Sequence, residues 1–314
     1  MKEREIGVAW LYVLSKYGFP PDVEGTLRGL DDIARMGFSV CELESVGAEN
    51  FQELRANRER IQRKLDEHDL KVANYIAVIP DLVSDDAARR MAARELFAEA
   101  AAFAATFDCG VIQSDSFLPP VEIIDNPLYE DDVHFERSTR IRVPRGFDWP
   151  GYWGVLVDTF QACADIASDQ GLRLAIEPRV GETLSNSDAL LRLIDHTGSA
   201  DLGVVFDAAH LHAQRELLPL SIHKLAGRIF HVHIADNDGT TNRHAAPGSG
   251  TIDWAEVLQA LDDVGYAGPL MLDIGKVPDI DRQVLDGRAF LTAMAERPRD
   301  AEVARTKAPP GERA

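Results

Sequence analysis

Residues 202–210 read LGVVFDAAH and residues 229–236 read IFHVHIAD. Each opens as a short run of Val, Ile, Leu and Phe and closes on side chains that bind protons or metals. Short runs of nearly continuous hydrophobicity are how strands buried on both faces read. Six further runs share this character: Ile6–Trp10, Phe38–Leu43, Leu70–Val78, Gly110–Gln113, Leu172–Ile176 and Pro269–Ile274. Between them lie helical patterns over Glu24–Met36, Glu53–Glu67, Asp85–Phe107, Tyr152–Gln170, Ser187–His196, Leu218–Leu225, Trp254–Val264 and Asp279–Ala295. Asp188 and Asp253 sit near helix starts, where carboxylates favour the N-terminal dipole. Gly37, Gly171 and Gly265 sit just past helix ends, where a left-handed residue closes the last turn. Eight strands alternating with eight helices predict a single α/β domain, a (β/α)8 TIM barrel over residues 1–296. A doubly wound sheet is the rival, weakened because no glycine-rich phosphate loop follows the first strand.

Two regions break the alternation. Ser116–Pro150 is an insert of about 35 residues after strand four, against about 2–6 for an ordinary connection. Its aromatics, Tyr129, Phe135, Phe147 and Trp149, need cover from water. The expectation is an ordered lid over the barrel mouth, or a segment packed on a second copy in a homo-oligomer. The tail 297–314 is rich in Pro, Ala and charge and reads as flexible.

Composition narrows the partners. The 314 residues carry 33 Lys and Arg against 52 Asp and Glu, a net charge of -19. Such a surface repels phosphate backbones, so no nucleic-acid partner is expected. No apolar window is long enough for a membrane span. The N-terminus MKEREIGVAW has no signal-peptide core, and the expectation is a cytoplasmic chain. Cys41, Cys109 and Cys163 lie far apart without a CxxC, which suggests neither a disulfide framework nor a thiolate zinc site.

The chemistry concentrates at the ends of the last four strands. Strand five ends at Glu177, strand six at Asp207, strand seven carries His231 and His233, and strand eight ends at Asp273. In a barrel these positions share the C-terminal face, where active sites are built. Three carboxylates side by side repel one another and are costly to desolvate unless a cation sits among them. The expected metal ligands are therefore Glu177, Asp207, His233 and Asp273. His233 is preferred to His231 because it lies nearer the C-terminal edge, leaving His231 one layer deeper as a support. An oxygen-rich set with one imidazole suits Mn²⁺ or Mg²⁺, with Co²⁺ and Zn²⁺ as alternatives.

These residues also carry a resemblance. Glu177-Pro178, the D-x-x-H of Asp207 and His210, HVHIADND (231–238), PGSGTIDW (247–254) and GYAGPLMLD (265–273) resemble the xylose-isomerase-like barrels. That superfamily holds sugar isomerases, sugar epimerases and endonuclease IV. The resemblance to the epimerase branch implies a divalent ion held at Glu177, Asp207, His233 and a closing Glu, which here is Asp273. It also implies that the first and last of these carboxylates act as acid and base on opposite faces of the substrate. Asp273 is one methylene shorter, about 1.5 Å of reach. The endonuclease branch would need histidines in VANYIAV (72–78) and GVIQSDS (110–116), where none occurs, and Asp at the Asn242 position.

The remaining candidates line the same face. By resemblance, His210 contacts substrate oxygens, and the loop holding Asn242, Arg243 and His244 supplies substrate contacts. Arg179 either clamps an anionic substrate group or pairs with Glu182. Glu44 and Asn74, toward the ends of strands two and three, are substrate-binding candidates. The expected function is a divalent-metal-dependent isomerase or epimerase acting on a small keto-sugar or sugar derivative through an enediolate, with Glu177, Asp273 and His210 catalytic. The alternative is a metal-dependent lyase, a dehydratase or decarboxylase, on an oxo-sugar or oxo-sugar acid. A non-catalytic sugar-binding subunit is the third reading.

Overall fold

A computed structural model describes residues 4–125 and 139–296 of the chain. The expected tail and the middle of the insert lie outside the described residues. The strands are β1 (Ile6–Val8), β2 (Val40–Val46), β3 (Lys71–Val78), β4 (Val111–Asp115), β5 (Glu122–Asp125), β6 (Arg140–Arg142), β7 (Arg173–Glu177), β8 (Leu202–Asp207), β9 (Ile229–Ile234) and β10 (Leu270–Leu272). All but β5 and β6 close into a parallel barrel in the order β1-β2-β3-β4-β7-β8-β9-β10. Each of the eight expected strands is present, and the fold is a (β/α)8 TIM barrel.

Helices wrap the outside, and the core is the shell between them and the barrel. Inside the barrel, Val111, Ala175, Val205 and Phe230 form one small apolar plug, and Ala9, Val40 and Met271 another. Space there is tight enough to require glycine. A Cβ on Gly7 would lie 2.6 Å from Met271 Cε and 2.8 Å from the Val40 carbonyl. Above the plugs the interior turns polar, so the barrel core changes character toward its C-terminal mouth.

Register sets the site. Asp207 lies level with His233 on β9, and Asp115 on β4 lies level with Glu177 on β7. On the other side Glu42 pairs Asn74, and Glu44 pairs Ile76, which in turn pairs Gln113. The β2–β3 pairing is irregular between Cys41 and Glu42, at the point where the interior becomes polar. Such irregularities re-aim side chains beside active sites.

The differences from expectation are local. The pattern over Glu53–Glu67 is two helices, Gly47–Ala56 and Arg58–Glu67, meeting at Asn57. Asn57 Nδ2 donates to the Glu53 carbonyl and Oδ1 accepts from Arg60, so its side chain competes with the helix ladder. The helix Leu11–Tyr17 was not expected, because seven residues are too short to show periodicity. The insert contains an antiparallel pair, β5 with β6, in which Ile123 faces Ile141 and Arg142 pairs with Glu122 at 2.6 Å. Both strands are exposed, and the insert ends earlier than expected, because the next helix already begins at Trp149. No described helix is long and apolar enough to cross a membrane.

Candidate active site

A pocket opens at the C-terminal mouth of the barrel. Its polar lining is Glu44, Gln113, Glu177, Arg179, His210, His233 and Asp273. The apolar lining comes from Leu11, Leu14, Phe19, Ile76 and Val78. Concave sites with a few convergent polar groups on an apolar wall are the usual form of a small-molecule site.

One side of the mouth is a carboxylate–imidazole cluster. His233 Nδ1 lies 2.7 Å from Glu177 Oε1 and 3.7 Å from Asp207 Oδ2. One ligand atom from each of these three residues lies within 4.8 Å of the others. Asp207 also caps the helix Ala208–Ala213, its Oδ1 accepting the His210 N–H at 2.6 Å. Its other oxygen, Oδ2, is buried and accepts no hydrogen bond. Burial pushes the Asp207 carboxyl up to about 7, with Glu177 and Asp273 adding to the rise and His244 opposing it. An orphaned carboxylate oxygen beside a second carboxylate and an imidazole fits a divalent cation, which would satisfy all three donors.

The expected fourth ligand behaves differently. Asp273 lines the pocket, but its Oδ2 lies 2.8 Å from His244 Nδ1, which also approaches the Asp273 backbone carbonyl at 3.1 Å. Its carboxylate is turned to a histidine rather than joined to the three-residue group.

The ring that supports the cluster was missed in the sequence. Glu42, fully buried on β2, reaches across the barrel to two histidines of β9. Its Oε1 lies 2.5 Å from His231 Nε2 and 2.9 Å from His233 Nε2. Its Oε2 accepts the Trp10 backbone N–H at 3.0 Å. Burial alone would raise the Glu42 carboxyl, but His233 and His231 outweigh it and hold it well below the usual range. His233 moves oppositely: burial lowers it, while Glu42 and Glu177 raise it well above normal. A histidine whose second nitrogen is held by a carboxylate is oriented for a ligand at the first. Glu42 lies two residues before Glu44, on the same strand face, which was the available signal.

Asn74 belongs to this deeper layer. Its Nδ2 donates to Gln113 Oε1 at 2.7 Å and to Glu42 Oε1 at 3.3 Å. β3 continues four residues beyond it, so Ile76 and Val78 line the pocket in its place.

His210 is buried, and its Nδ1 accepts from Val180 N–H at 3.2 Å and from Asn242 Nδ2 at 3.0 Å. Two donors on Nδ1 place the proton on Nε2. Burial, with His244 second, holds His210 well below its usual value, so the ring is a neutral donor. The His210 and His244 rings meet edge to face at 4.9 Å. Arg179 Nη1 donates to Asp115 Oδ2 at 2.8 Å, with Nε 3.9 Å from Glu177 Oε2 and 4.0 Å from Glu182 Oε1. Glu182 in turn holds the base of the insert, its Oε2 accepting from Ser116 N, Ser116 Oγ and Phe117 N. Arg243 is not brought into the pocket: it is exposed and lines a separate groove with Asp236, Thr241 and Phe290. None of the described insert residues lines the pocket.

PGSGTIDW has a structural account. The Asp236 carboxylate accepts from the N–H groups of Asn237, Gly248 and Ile252 and from Trp254 Nε1. A Cβ on Gly250 would collide with the Asn237 carbonyl and the Asp236 carboxylate. The stretch is wound around Asp236, and this fixes the loop that carries Asn242 and His244.

A closed eight-strand parallel barrel with this cluster at its mouth places the chain among the (β/α)8 barrels. The chain belongs to the xylose isomerase-like TIM barrel family, whose model matches residues 30–294. It is 25% identical over 145 residues to the inosose dehydratase of Geobacillus thermodenitrificans, covering 41% of this chain and 49% of that protein. It is 28% identical over 122 residues to the D-psicose 3-epimerase of Enterocloster bolteae, covering 34% and 39%. The matched stretches thus span about half, or less, of these curated relatives. Among solved structures, L-ribulose 3-epimerase superposes with a TM-score of 0.72 at 18% identity, covering 99% of this chain and 100% of that one.

Proposed function

We propose that this protein is a divalent-metal-dependent enzyme that isomerises or epimerises a small keto-sugar or sugar derivative. The observation that carries the reading is the convergence of Glu177, Asp207 and His233 in a pocket that Glu177 and Asp273 both line. Relatives named as a sugar epimerase and an inosose dehydratase support the same class of chemistry.

Glu177, Asp207 and His233 would hold the ion, and Asp273 would join them through the carboxylate oxygen that is not paired with His244. When bound, a divalent cation polarises a carbonyl and favours loss of the neighbouring proton, with Mn²⁺ the best fit to these ligands and Mg²⁺, Co²⁺ or Zn²⁺ the alternatives. The residues themselves do the rest. Glu177 takes a proton from the carbon beside the carbonyl, a role typically worth about 10²–10⁴-fold. Asp273, steadied by His244, is the second carboxylate and returns a proton from its own side of the pocket. His210, a neutral donor, holds a substrate oxygen. Arg179 keeps the carboxylates of Asp115, Glu177 and Glu182 in place, and Glu42 orients His233. The apolar wall thins out water around the exchanging proton.

A specific observation favours a second reading. With Asp273 held on His244, Glu177 is left as the single mobile base, and the proton it takes from the carbon beside the carbonyl can pass to a β-hydroxyl, whose C–O bond breaks to release water as the carbon–carbon double bond forms. That is a dehydratase. Mass spectrometry of a keto-sugar and oxo-sugar-acid panel, incubated in D₂O with Mn²⁺-loaded protein, separates the readings. An isomerase or epimerase conserves carbon skeleton and oxygen count while exchanging a carbon-bound proton. A lyase changes the mass. A protein that does neither with any member refutes the catalytic reading.

A further inference from the structure

The side of the pocket facing the carboxylate–imidazole cluster is built from β2, β3, β4 and the helix Leu11–Tyr17. Leu11, Leu14, Phe19, Ile76 and Val78 make it apolar. Two polar side chains interrupt it, Glu44 and Gln113, and register places both level with Ile76. Glu44 is 7% exposed, and no hydrogen bond or ion pair reaches its carboxyl from any described residue. Burial pushes the Glu44 carboxyl well above its usual value, and nearby Asp115 adds to the rise. Gln113 spends its amide oxygen on Asn74 Nδ2, and no described residue accepts from its Nε2. An acid and an amide N–H₂ thus flank Ile76 at one level of a greasy wall.

Arg179 is the one cation in the pocket lining whose charge reaches Glu44, and it is already shared. No lysine lines the pocket, and its one arginine, Arg179, is committed to Asp115 with Glu177 and Glu182 alongside. Arg243 lies in the separate groove. A phosphate or carboxylate reaching this wall would lose its water and meet the carboxyls of Glu44, Asp115 and Glu177 with only Arg179, already shared among them, as counter-charge, a costly burial. A sugar hydroxyl both donates and accepts, which matches Glu44 and Gln113 together.

We propose that Glu44 is a specificity-determining residue that, with Gln113, binds a hydroxyl at the end of the substrate remote from the reacting carbon, so that the substrate is an uncharged polyhydroxy ketone rather than a sugar phosphate or sugar acid. This rests on the sugar-converting reading above and deepens it. Buried polar groups built to hydrogen-bond a hydroxyl reject analogues that leave them unpaired or mismatched.

The test is calorimetric binding of ketohexoses, their 6-phosphates and their 6-amino-6-deoxy derivatives to the metal-loaded protein. The expected result is a neutral ketohexose bound at least about tenfold more tightly than its phosphate and its amino derivative. Glu44→Leu is expected to weaken that neutral sugar by about tenfold or more without lowering the melting temperature of the unliganded protein, because an unpartnered buried carboxyl is itself destabilising. Glu44→Gln, which keeps a donor and an acceptor, is expected to stay within about threefold of the parent. A phosphate or amino sugar that binds as tightly as the neutral one overturns the proposal, and so does an unchanged neutral-sugar affinity in Glu44→Leu. If no sugar of any charge binds, the sugar-converting reading falls, and this proposal with it.

Discussion

The two halves of the barrel mouth are built on opposite physical plans. On β7 to β10, ionisable side chains are crowded together: Glu177, Asp207, His233, His244 and Asp273 are all buried and all within reach of one another's fields. On β1 to β4 the wall is hydrocarbon, broken by an unpartnered Glu44 and a half-satisfied Gln113. Under the proposed function, one half would hold a cation and move protons, and the other would receive a neutral body. The halves are not independent, because Glu42 leaves β2 and ends on the histidines of β9. The difference teaches that charge density marks where the chemistry is, while the groups that hold the chemistry in place come from across the barrel.

The largest effect is expected at Glu177. Replacing it by Gln leaves an oxygen for the ion but no site for a proton, and turnover should fall by about 10³-fold with most of the metal retained. Elemental analysis beside kinetics decides; metal lost in proportion to activity would reduce Glu177 to a ligand.

Glu42→Gln tests whether the two halves are coupled. The amide is uncharged, and its NH₂ must replace the oxygen that faces either the two histidines or the Trp10 N–H, so His233 is held less firmly. Divalent-ion affinity should drop by about 10–100-fold, the usual effect of removing a ligand's supporting partner. An unchanged affinity by metal titration would confine the metal site to β7–β10 alone.

A smaller effect is expected at Asp273, which pairs with His244 at 2.8 Å. Asp273→Glu should push the carboxylate past that partner and lower kcat by about tenfold while metal binding survives, since misplacement by about 1 Å can cost up to 10²-fold. A variant as fast as the parent, exchanging deuterium at both faces of one carbon, would establish two-base epimerisation without the shorter side chain.

The smallest effect is thermal. Burial first, and neighbouring carboxylates next, hold Asp207 up to about 7 and Asp115 up to about 6. A carboxyl raised on folding binds more protons in the native state, so its contribution is lost as pH climbs from about 4 through about 7. His233 and His244, also raised, lose their contribution as pH rises above about 6.5. His210 and His231, lowered by burial, act in the opposite sense near the same pH. The raised groups outnumber them, so the metal-stripped protein should melt lower at pH 8 than at pH 5.5, and Mn²⁺ should restore the loss. Scanning calorimetry at the two pH values checks this; a higher melting point at pH 8 without metal would mean that the carboxylate cluster is not a destabilising charge concentration.

The eight barrel strands were legible because strands buried on both faces have no polar alternation to obscure them. Glu177, Asp207 and His233 were legible because each closes or nearly closes such a run, where a charged side chain has no packing reason to be. Glu42 and Gln113 were not, and Asn74 was singled out for the pocket rather than for the layer below it, because a polar residue inside a strand does not reveal which other strand will satisfy it. Arg243 illustrates the converse: it sits one residue from His244, yet loop geometry turns it into another groove. The hairpin of the insert was hidden because β6 is only three residues long and wholly exposed.

By itself, then, the sequence determined the barrel, the edge at which its chemistry lies and most of the groups able to hold a cation there. These follow from local rules: hydrophobic period, helix ends and the anomaly of charge at a strand terminus. Only the tertiary structure decided that Glu42 joins β2 to β9, that Asp273 is paired with His244, that Asn74 lies below the pocket and that Glu44 stands in its wall without a partner. Those facts depend on barrel closure and strand register, which bring together residues up to 191 positions apart, and no local pattern encodes a contact across that distance.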